Sequence, residues 1–179
     1  HRDLHSFPTR RSSDLSVGYY KGWNIIYNTY VKLDAALNRF YTKDYTGNIV
    51  YYQPVTCDSR FTPTNPLTYE CHVAEDGSGN VLVKQMAFGY LSGYFIYSNN
   101  NVKQVFSSSG YLSTITDTTS TQSIMITRDT TYPDRVTQIQ DSAGNQILLT
   151  YVSGNISKAQ LKTYQSSSNS YLLDRKSVV

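Results

Sequence analysis

The sequence predicts an all-β protein, and three observations support that prediction. Only 16% of the 179 residues are charged, whereas 17 are Tyr, and this composition disfavours the helix bundles and coiled coils built on Ala, Glu, Lys and Leu. Apolar and polar residues alternate along much of the chain, as they do in half-buried strands. Turns of the form Asp/Ser-x-x-Gly recur between these segments and suit type I geometry. We therefore expect antiparallel hairpins.

The first alternating segments lie in the N-terminal third of the chain. Trp23, Ile25 and Tyr27 recur at period two, as do Ile49 and Tyr51. Both patterns predict half-buried strands.

Two further segments of this region break the alternation. Residues 34–37, Asp-Ala-Ala-Leu, are compatible with a short helical turn. The segment 53–69 carries Pro54, Pro63 and Pro66. Because proline cannot donate to a strand ladder, we expect a loop or an edge strand there.

The chain then returns to strand patterns over residues 81–86, 90–98 and 102–106. Three Asn residues at 99–101 separate the last two of these segments and tolerate positive φ, which predicts a hairpin. The run Ser-Ser-Ser-Asn-Ser at 166–170 is interpreted as a loop or a sheet edge.

Four short turns share one sequence pattern. They have Asp or Ser first and Gly fourth, and they lie at 44–47, 76–79, 107–110 and 141–144. The side-chain oxygen of the first residue can accept from the backbone N–H two residues later. This role explains Asp44, Asp76 and Asp141 as turn formers, and the convergent spacing of a calcium loop is absent.

A longer pattern repeats in the second half. Residues 111–117 and 135–141 superpose with an offset of 24 residues, and each segment precedes a predicted strand, at 124–127 and 147–151. A third unit begins with Gly-Asn-Ile-Ser-Lys at 154–158. Self-similarity at a fixed period indicates a repeat architecture.

These units resemble the RHS/YD-repeat family, whose units run G-R-L-x-x-I-x-D-x-x-G-N before a strand that ends in Tyr. Residues 134–145 (DRVTQIQDSAGN) with 147–151 (ILLTY) fit this pattern, and residues 106–117 are similar to its first part. Tyr111 replaces the expected Arg, and Thr-Thr-Ser follows Asp117, so the units are degenerate. The matching positions are Gly110, Leu112, Ile115, Asp117, Arg135, Val136, Ile139, Asp141, Gly144, Asn145 and Tyr151.

The resemblance implies a large secreted or cell-surface bacterial protein whose repeats wind a β-sheet shell. In toxin-bearing members the shell encloses a C-terminal effector. On this view residues 16–89 are a strand-rich lead-in, residues 90–173 are repeats, and the partner is the remainder of the same chain. A two-stranded unit needs stacked neighbours, so a fragment is expected to expose unpaired edges.

The two ends of the chain resemble translated sequencing adapter. Residues 1–15 (HRDLHSFPTRRSSDL) and 174–179 (DRKSVV) are therefore expected to lie outside the fold. The folded part is expected to be residues 16–173. The whole chain carries 16 Lys and Arg against 13 Asp and Glu, a net charge of +3, and most of this excess lies in the two ends. No basic patch then favours nucleic acid, and no apolar run is long enough for a membrane span.

The two cysteines, Cys57 and Cys71, lie on either side of the proline-rich segment. They either form a disulfide across it, which the extracellular setting favours, or stay apart. His72 follows Cys71, but zinc needs four ligands and no further ligand pattern accompanies it. No Ser or Cys motif ties His72 to nucleophilic catalysis.

The repeats pose a packing problem. Leu112 and Ile115 are three residues apart, as are Val136 and Ile139, and Ile156 has the equivalent place in the third unit. Strand side chains alternate between faces, so either a bulge brings both members of a pair to one face or both faces of the sheet are covered. We expect these five residues to face inward in a sheet whose two faces are both covered.

The sequence thus predicts a non-catalytic structural segment with no cofactor or metal. The alternative is a carbohydrate-binding or adhesion β-sandwich, which the tyrosines and Trp23 suggest, although aromatic residues are also typical of strands. A hydrolase is a third hypothesis, but no triad can be assembled from motifs.

Overall fold

Thirteen strands follow one another in sequence order across one antiparallel sheet in the computed structural model, which describes residues 26–165 and 170–174. Each strand pairs with its neighbours in sequence, so the all-β, antiparallel prediction is confirmed. No helix in the described ranges is long and apolar enough to cross a membrane. The strands are β1 (Tyr30–Asp34), β2 (Arg39–Lys43), β3 (Ile49–Val55), β4 (Leu67–Ala74), β5 (Val81–Ala87), β6 (Tyr90–Tyr97), β7 (Val102–Phe106), β8 (Leu112–Asp117), β9 (Ser123–Arg128), β10 (Val136–Asp141), β11 (Gln146–Val152), β12 (Asn155–Gln165) and β13 (Ser170–Asp174).

The strands expected between residues 81 and 106 are confirmed as β5, β6 and β7. The Asn-rich hairpin is also confirmed, with Asn101 at φ 63°. Residues 34–37 are not helical, because the Asp34 carboxylate accepts from the N–H groups of Ala36 and Leu37 and closes a β1–β2 turn.

The predicted N-terminal strand is only partly testable. Trp23 and Ile25 lie outside the described residues, and Tyr27 precedes β1 instead of belonging to a strand. Residues 1–15 also lie outside them. In the second range that resembles adapter, 174–179, Asp174 ends β13 opposite Leu161 and the rest is not described.

Pro54 lies inside β3, where it pairs with His72 of β4. The β2–β3 ladder ends at the pair Phe40 and Tyr52. Pro54 therefore lies beyond the end of β2, and no residue of β2 pairs with it. A proline, which cannot donate a backbone hydrogen bond, is tolerated at such an edge position.

Turns alternate between the two ends of the sheet because successive strands run in opposite directions. We call upper the end that carries the turns at residues 35–38, 56–66, 88–89, 107–111, 129–135 and 153–154. The lower end carries the turns at residues 44–48, 75–80, 98–101, 118–122 and 142–145. The Asp-x-x-Gly turns of the sequence analysis all lie at the lower end.

A β-bulge follows four of the upper turns. In β8, Leu112 pairs with Phe106 and Thr114 pairs with Val105, so Ser113 is the inserted residue. The register shifts of the β5–β6, β9–β10 and β11–β12 ladders insert one residue in the same way. The four inserted residues are Ser92 in β6, Ser113 in β8, Thr137 in β10 and Ser157 in β12.

Three of the four inserted hydroxyl groups donate a hydrogen bond to the neighbouring strand. Ser113 donates to the Val105 carbonyl oxygen at 3.0 Å, and Thr137 donates to that of Thr127 at 3.3 Å. Ser157 donates to a β11 carbonyl oxygen at 3.1 Å. A small hydroxyl residue thus holds each of these bulges against its partner strand.

The bulges resolve the packing problem of the repeats. Phe106 and Gln104 are two residues apart on β7, and they pair with Leu112 and Ile115 respectively. Leu112 and Ile115 therefore face the same side of the sheet, contrary to our expectation that the pair would use both faces. The bulge after Val136 has the same effect for Val136 and Ile139.

One face, which we call the inner face, carries the main core. Leu112 and Val136 are 1% and 0% exposed, Ile139 is 9% exposed, and Ile115 packs against this cluster. Ile156 is half-buried. The other buried members are Val31, Phe40, Tyr52, Ala74, Leu82, Tyr94, Ile96, Phe106 and Ile126.

The sheet curls until β1 reaches the β7–β8 turn. The Val31 N–H donates to the Gly110 carbonyl oxygen at 2.8 Å, and Tyr30 and Tyr111 form a single bridge. The Arg128 guanidinium donates to the Tyr27 carbonyl oxygen at 3.0 Å and fixes the segment that leads into β1. This contact is a bridge rather than a ladder, so the sheet is not closed into a barrel.

Replacing Ile139 by Ala should lower the free energy of unfolding by about 2–5 kcal/mol, because the side chain is buried and leaves a cavity. Met125→Ala is the matched control, since Met125 lies on the adjacent strand and is 50% exposed; it should cost under about 0.5 kcal/mol. Urea unfolding of both variants measures the difference. Equal losses would contradict the inner-face assignment.

Replacing Gly110 by Ala should destabilise the fold more than Gly89→Ala does. Both glycines have a positive φ, 84° and 80°, so both variants pay about 1 kcal/mol for a left-handed alanine. A Cβ at Gly110 would overlap the Val31 carbonyl oxygen, whereas a Cβ at Gly89 meets nothing within 4 Å. The overlap should add about 1–3 kcal/mol in thermal or urea unfolding, and similar losses in the two variants would contradict the closure at Gly110.

Candidate functional site

A cleft of about 750 Å³ opens at the upper end of β3. It exists because β3 ends at Val55 and pairs only with the second half of β4, so the first half of β4 faces no strand on that side. Apolar side chains contribute much of the lining, and His72, Glu70 and Lys84 contribute polar groups. Its volume lies in the range of small-molecule pockets, roughly 300–1,000 Å³.

A disulfide fixes the outer wall of the cleft. Cys57 and Cys71 are bonded, with a Cα–Cα distance of 5.2 Å, so the expected proximity of the two cysteines is confirmed. The bridge holds the loop 56–66 against the outer face, where Phe61 and Val83 are 6% and 0% exposed. The loop therefore forms a second, smaller core.

A short 3₁₀ turn, Ser59–Phe61, shapes this loop. The Asp58 carboxylate caps the turn by accepting from the Arg60 N–H at 2.9 Å, and it also pairs with the Arg60 guanidinium at 2.6 Å. The guanidinium lies over the rings of Phe61 and Tyr97. Charge pairing and ring contact together set the loop conformation.

His72 is buried on the inner face at the base of the cleft. It is 8% exposed, its ring meets the Phe40 ring edge-on at 4.9 Å, and neither ring nitrogen has a hydrogen-bond partner among the described residues. Burial lowers the pKa of His72; Lys84 lowers it further, whereas Glu70 opposes the shift. The imidazole is therefore neutral at pH 7.

Glu70 and Lys84 form an ion pair beside His72, with 3.0 Å between carboxylate and ammonium. Neither orients the imidazole, since His72 has no hydrogen bond to a described residue. Acid–base or nucleophilic catalysis needs a base held in place and a nucleophile within reach, and the described part of the cleft assembles neither. The described ranges also hold no group of three His, Cys, Asp or Glu side chains that could bind a metal ion.

The carboxylates of the lower end serve their own turns, as predicted. The Asp44 carboxylate accepts from the Thr46 N–H at 2.8 Å, and that of Asp76 accepts from the Ser78 N–H at 2.9 Å. Asp141 accepts from both the backbone N–H and the side-chain amide of Asn145, each at 2.8 Å. Side-chain hydrogen bonds lower the pKa of Asp76 and Asp141, which keeps these groups ionised in their turns.

The motif residues of the second half lie outside the cleft. Asn145 continues the Asp141 turn by accepting from the Tyr164 N–H at 3.1 Å, and Gly144 lies against the Tyr164 ring. Asp117 accepts from the Thr119 N–H at 2.8 Å. These positions close turns and join successive hairpins.

Two further motif residues link β10 to β11. The Tyr151 hydroxyl donates to the Val136 carbonyl oxygen at 2.9 Å. The Arg135 guanidinium lies 3.9 Å from the centre of the Tyr132 ring and 5.7 Å from that of Tyr151. Arg135 and Tyr151 are thus joined by a cation–π contact in addition to the hydroxyl hydrogen bond.

Three features have no counterpart among the sequence predictions. The first is the cleft, which depends on where β3 ends. The second is Arg128, whose guanidinium donates to the carbonyl oxygens of Leu112, Pro133 and Tyr27. The third is the set of bulge hydroxyls. A signal for them existed, because each unit places Ser or Thr directly after its first aliphatic residue.

Fold and site together define an antiparallel meander of bulged hairpins with one disulfide-anchored cleft in its described part. Comparison with protein-family models, curated proteins and solved structures gives no match. The resemblance to RHS/YD repeats therefore rests on the residues quoted above.

We predict that the free energy of unfolding falls as the pH is lowered from 7 to 5. Burial lowers the pKa of His72 below its usual 6.5. Between pH 7 and 5 the imidazole is therefore protonated more readily in the unfolded chain than in the folded chain, which favours unfolding. The loss should be at most about 1.4 kcal/mol per pH unit. Urea unfolding at several pH values measures it.

The His72→Leu variant is the control for this prediction. It removes the buried imidazole and should flatten the dependence between pH 7 and 5, while the loss below about pH 4, which the turn carboxylates cause, should persist. The same slope in both proteins would exclude His72 as its source.

Proposed function

We propose that this chain is a structural segment of an RHS/YD-type β-sheet shell and has no catalysis of its own. The parent would be a large secreted or surface-associated protein, and the shell would enclose a C-terminal effector if the protein belongs to the toxin-bearing members. The partner of the segment is then the rest of its own chain.

One observation carries this proposal. Ile139, Ile147 and Leu161 face one another across β10, β11 and β12 on the inner face. Their exposed fractions are 9%, 39% and 42%, so the apolar row of the inner face becomes open to solvent toward the C-terminal strands. Apolar surface of this kind favours covering by further protein, and additional hairpins would supply it.

Two further observations support the same function. The bulged hairpin recurs four times, and repeat units of this kind gain stability from stacked neighbours. The disulfide between Cys57 and Cys71 fits an oxidising compartment, which is where a secreted or surface protein resides.

The test compares one substitution in two lengths of protein. Ile147→Ala should cost about 1 kcal/mol or less in the 179-residue chain, because its side chain is 39% exposed. In the protein translated from the complete gene it should cost about 2–5 kcal/mol, since further strands bury it. Cryo-electron microscopy of that longer protein should show the sheet continuing around a cavity.

Two results would overturn the shell proposal. The first is an equally small loss in both lengths of protein. The second is a longer structure in which the inner face at Ile147 stays open to solvent.

A row of tyrosines favours the alternative of a glycan-binding surface. On the outer face, Tyr51, Tyr41, Tyr30 and Tyr111 lie in a chain of ring contacts with centroids 5.8–6.3 Å apart. Aromatic rings can stack on sugars, although the same contacts stabilise neighbouring strands. Binding on a glycan array that Tyr41→Ala abolishes, and that Tyr45→Ala at the lower end leaves intact, would support this function over the shell. Trp23, the other aromatic candidate, lies outside the described residues.

A further inference from the structure

The β5–β6 hairpin ends in two exposed aromatic side chains. Ala87 pairs with Tyr90, which leaves Phe88 and Gly89 as a two-residue turn at the upper end of the sheet. Phe88 and Tyr90 are each 79% exposed. We call residues 87–90 the aromatic tip.

Phe88 is unfavourable at this position for folding alone. Its φ is 53°, a left-handed conformation in which a bulky side chain is uncommon and Asn, Asp or Gly is preferred. The equivalent turn between β11 and β12 has Ser153 at φ 50° followed by Gly154. The same turn is therefore formed elsewhere in the chain with a small polar residue. Because Phe88 is both strained and exposed to solvent, it indicates a role other than packing in the monomer's core.

We propose that the aromatic tip of one molecule docks into the cleft of a second copy, and that two copies exchange tips about a twofold axis. The cleft presents the exposed apolar side chains of Leu33, Pro54 and Val55, which are suitable contacts for an aromatic ring. Tip and cleft both lie at the upper end, and Lys84 of the cleft belongs to the strand that leads into the tip. Because the two surfaces lie at the same end of the molecule, exchange closes a dimer rather than propagating a filament.

The charges of the two surfaces match this occupant. The aromatic tip and the following Leu91 carry no ionisable acid or base, apart from the tyrosine hydroxyl. In the cleft, Glu70 is paired with Lys84 and Asp58 with Arg60. A charge-balanced, largely apolar cleft suits an uncharged aromatic tip, whereas the tip has no cationic residue that would attract an anionic membrane.

The area is sufficient for a specific dimer. A buried aromatic residue covers about 150–250 Å², so the two aromatic residues of one tip bury about 300–500 Å². The cleft loses a matching area and the dimer has two such contacts, which gives a total of about 1,200–2,000 Å². This is the range of stable, specific protein–protein interfaces.

The test is the oligomeric state of the full, oxidised chain as a function of concentration, measured by sedimentation equilibrium. We expect a reversible monomer–dimer equilibrium that Phe88→Ser weakens about 100-fold or more, because two buried rings are lost per dimer. Phe88→Ser copies the residue of the equivalent turn, so the variant should fold at least as stably as the parent. Val152→Ser is the matched control; it removes a side chain that is 61% exposed at the other turn and should leave dimerisation unchanged.

A variant of the cleft separates tip-into-cleft docking from contact between two tips. Val55 lines the cleft and is 40% exposed, so Val55→Asp should fold but reject the apolar tip. Each single variant should be monomeric, whereas a mixture of Phe88→Ser and Val55→Asp should form a heterodimer through one intact contact, detectable with a label on one partner.

Several results would overturn the proposal. These are a monomer at every concentration, a dimer that Phe88→Ser leaves intact, a dimer that Val55→Asp leaves intact, and a mixture that forms no heterodimer. Binding of the monomer to phosphatidylcholine vesicles that depends on Phe88 would assign the tip to a lipid surface instead.

Discussion

The alternation of side chains along a β-strand is the constraint on which this structure depends. Aliphatic residues three positions apart, such as Leu112 and Ile115, cannot share a face of a regular strand. The inserted Ser113 removes the conflict and holds the distorted strand through its hydroxyl. Because bulges also increase local twist, the bulges of four hairpins both direct the paired aliphatic residues to the main core on the inner face and curl the sheet.

Local signals in the sequence predicted most of the strands and turns, and tertiary arrangement explains what they missed. The alternation and turn residues located β5 to β7 and the Asp-x-x-Gly turns, since these depend on residues close in sequence. The prediction that the aliphatic pairs use both covered faces is wrong, because the same aliphatic spacing also fits a bulge. The hydroxyl residue after each first aliphatic residue would have favoured the bulge.

The candidate site was less predictable, for a physical reason. The cysteine pair could be foreseen from its position across the prolines, but the cleft arises because β3 stops short of the start of β4. His72 follows Cys71, and neighbours in a strand point to opposite faces. One strand thus anchors the outer loop through its cysteine and carries on its inner face an imidazole that has no hydrogen bond to a described residue.

The contact between β1 and the Gly110 turn has a consequence for folding kinetics. Every strand pairs with the strand next to it in sequence. A meander therefore needs no pairing between strands far apart in sequence, and it should fold faster than sandwiches of similar size whose strands cross over. The Val31–Gly110 contact joins distant parts of the chain, and its loop-closure entropy favours its formation after the hairpins. Interactions absent from the transition state act mainly on the unfolding rate. This small closure therefore controls how long the curled sheet persists more than how quickly it forms.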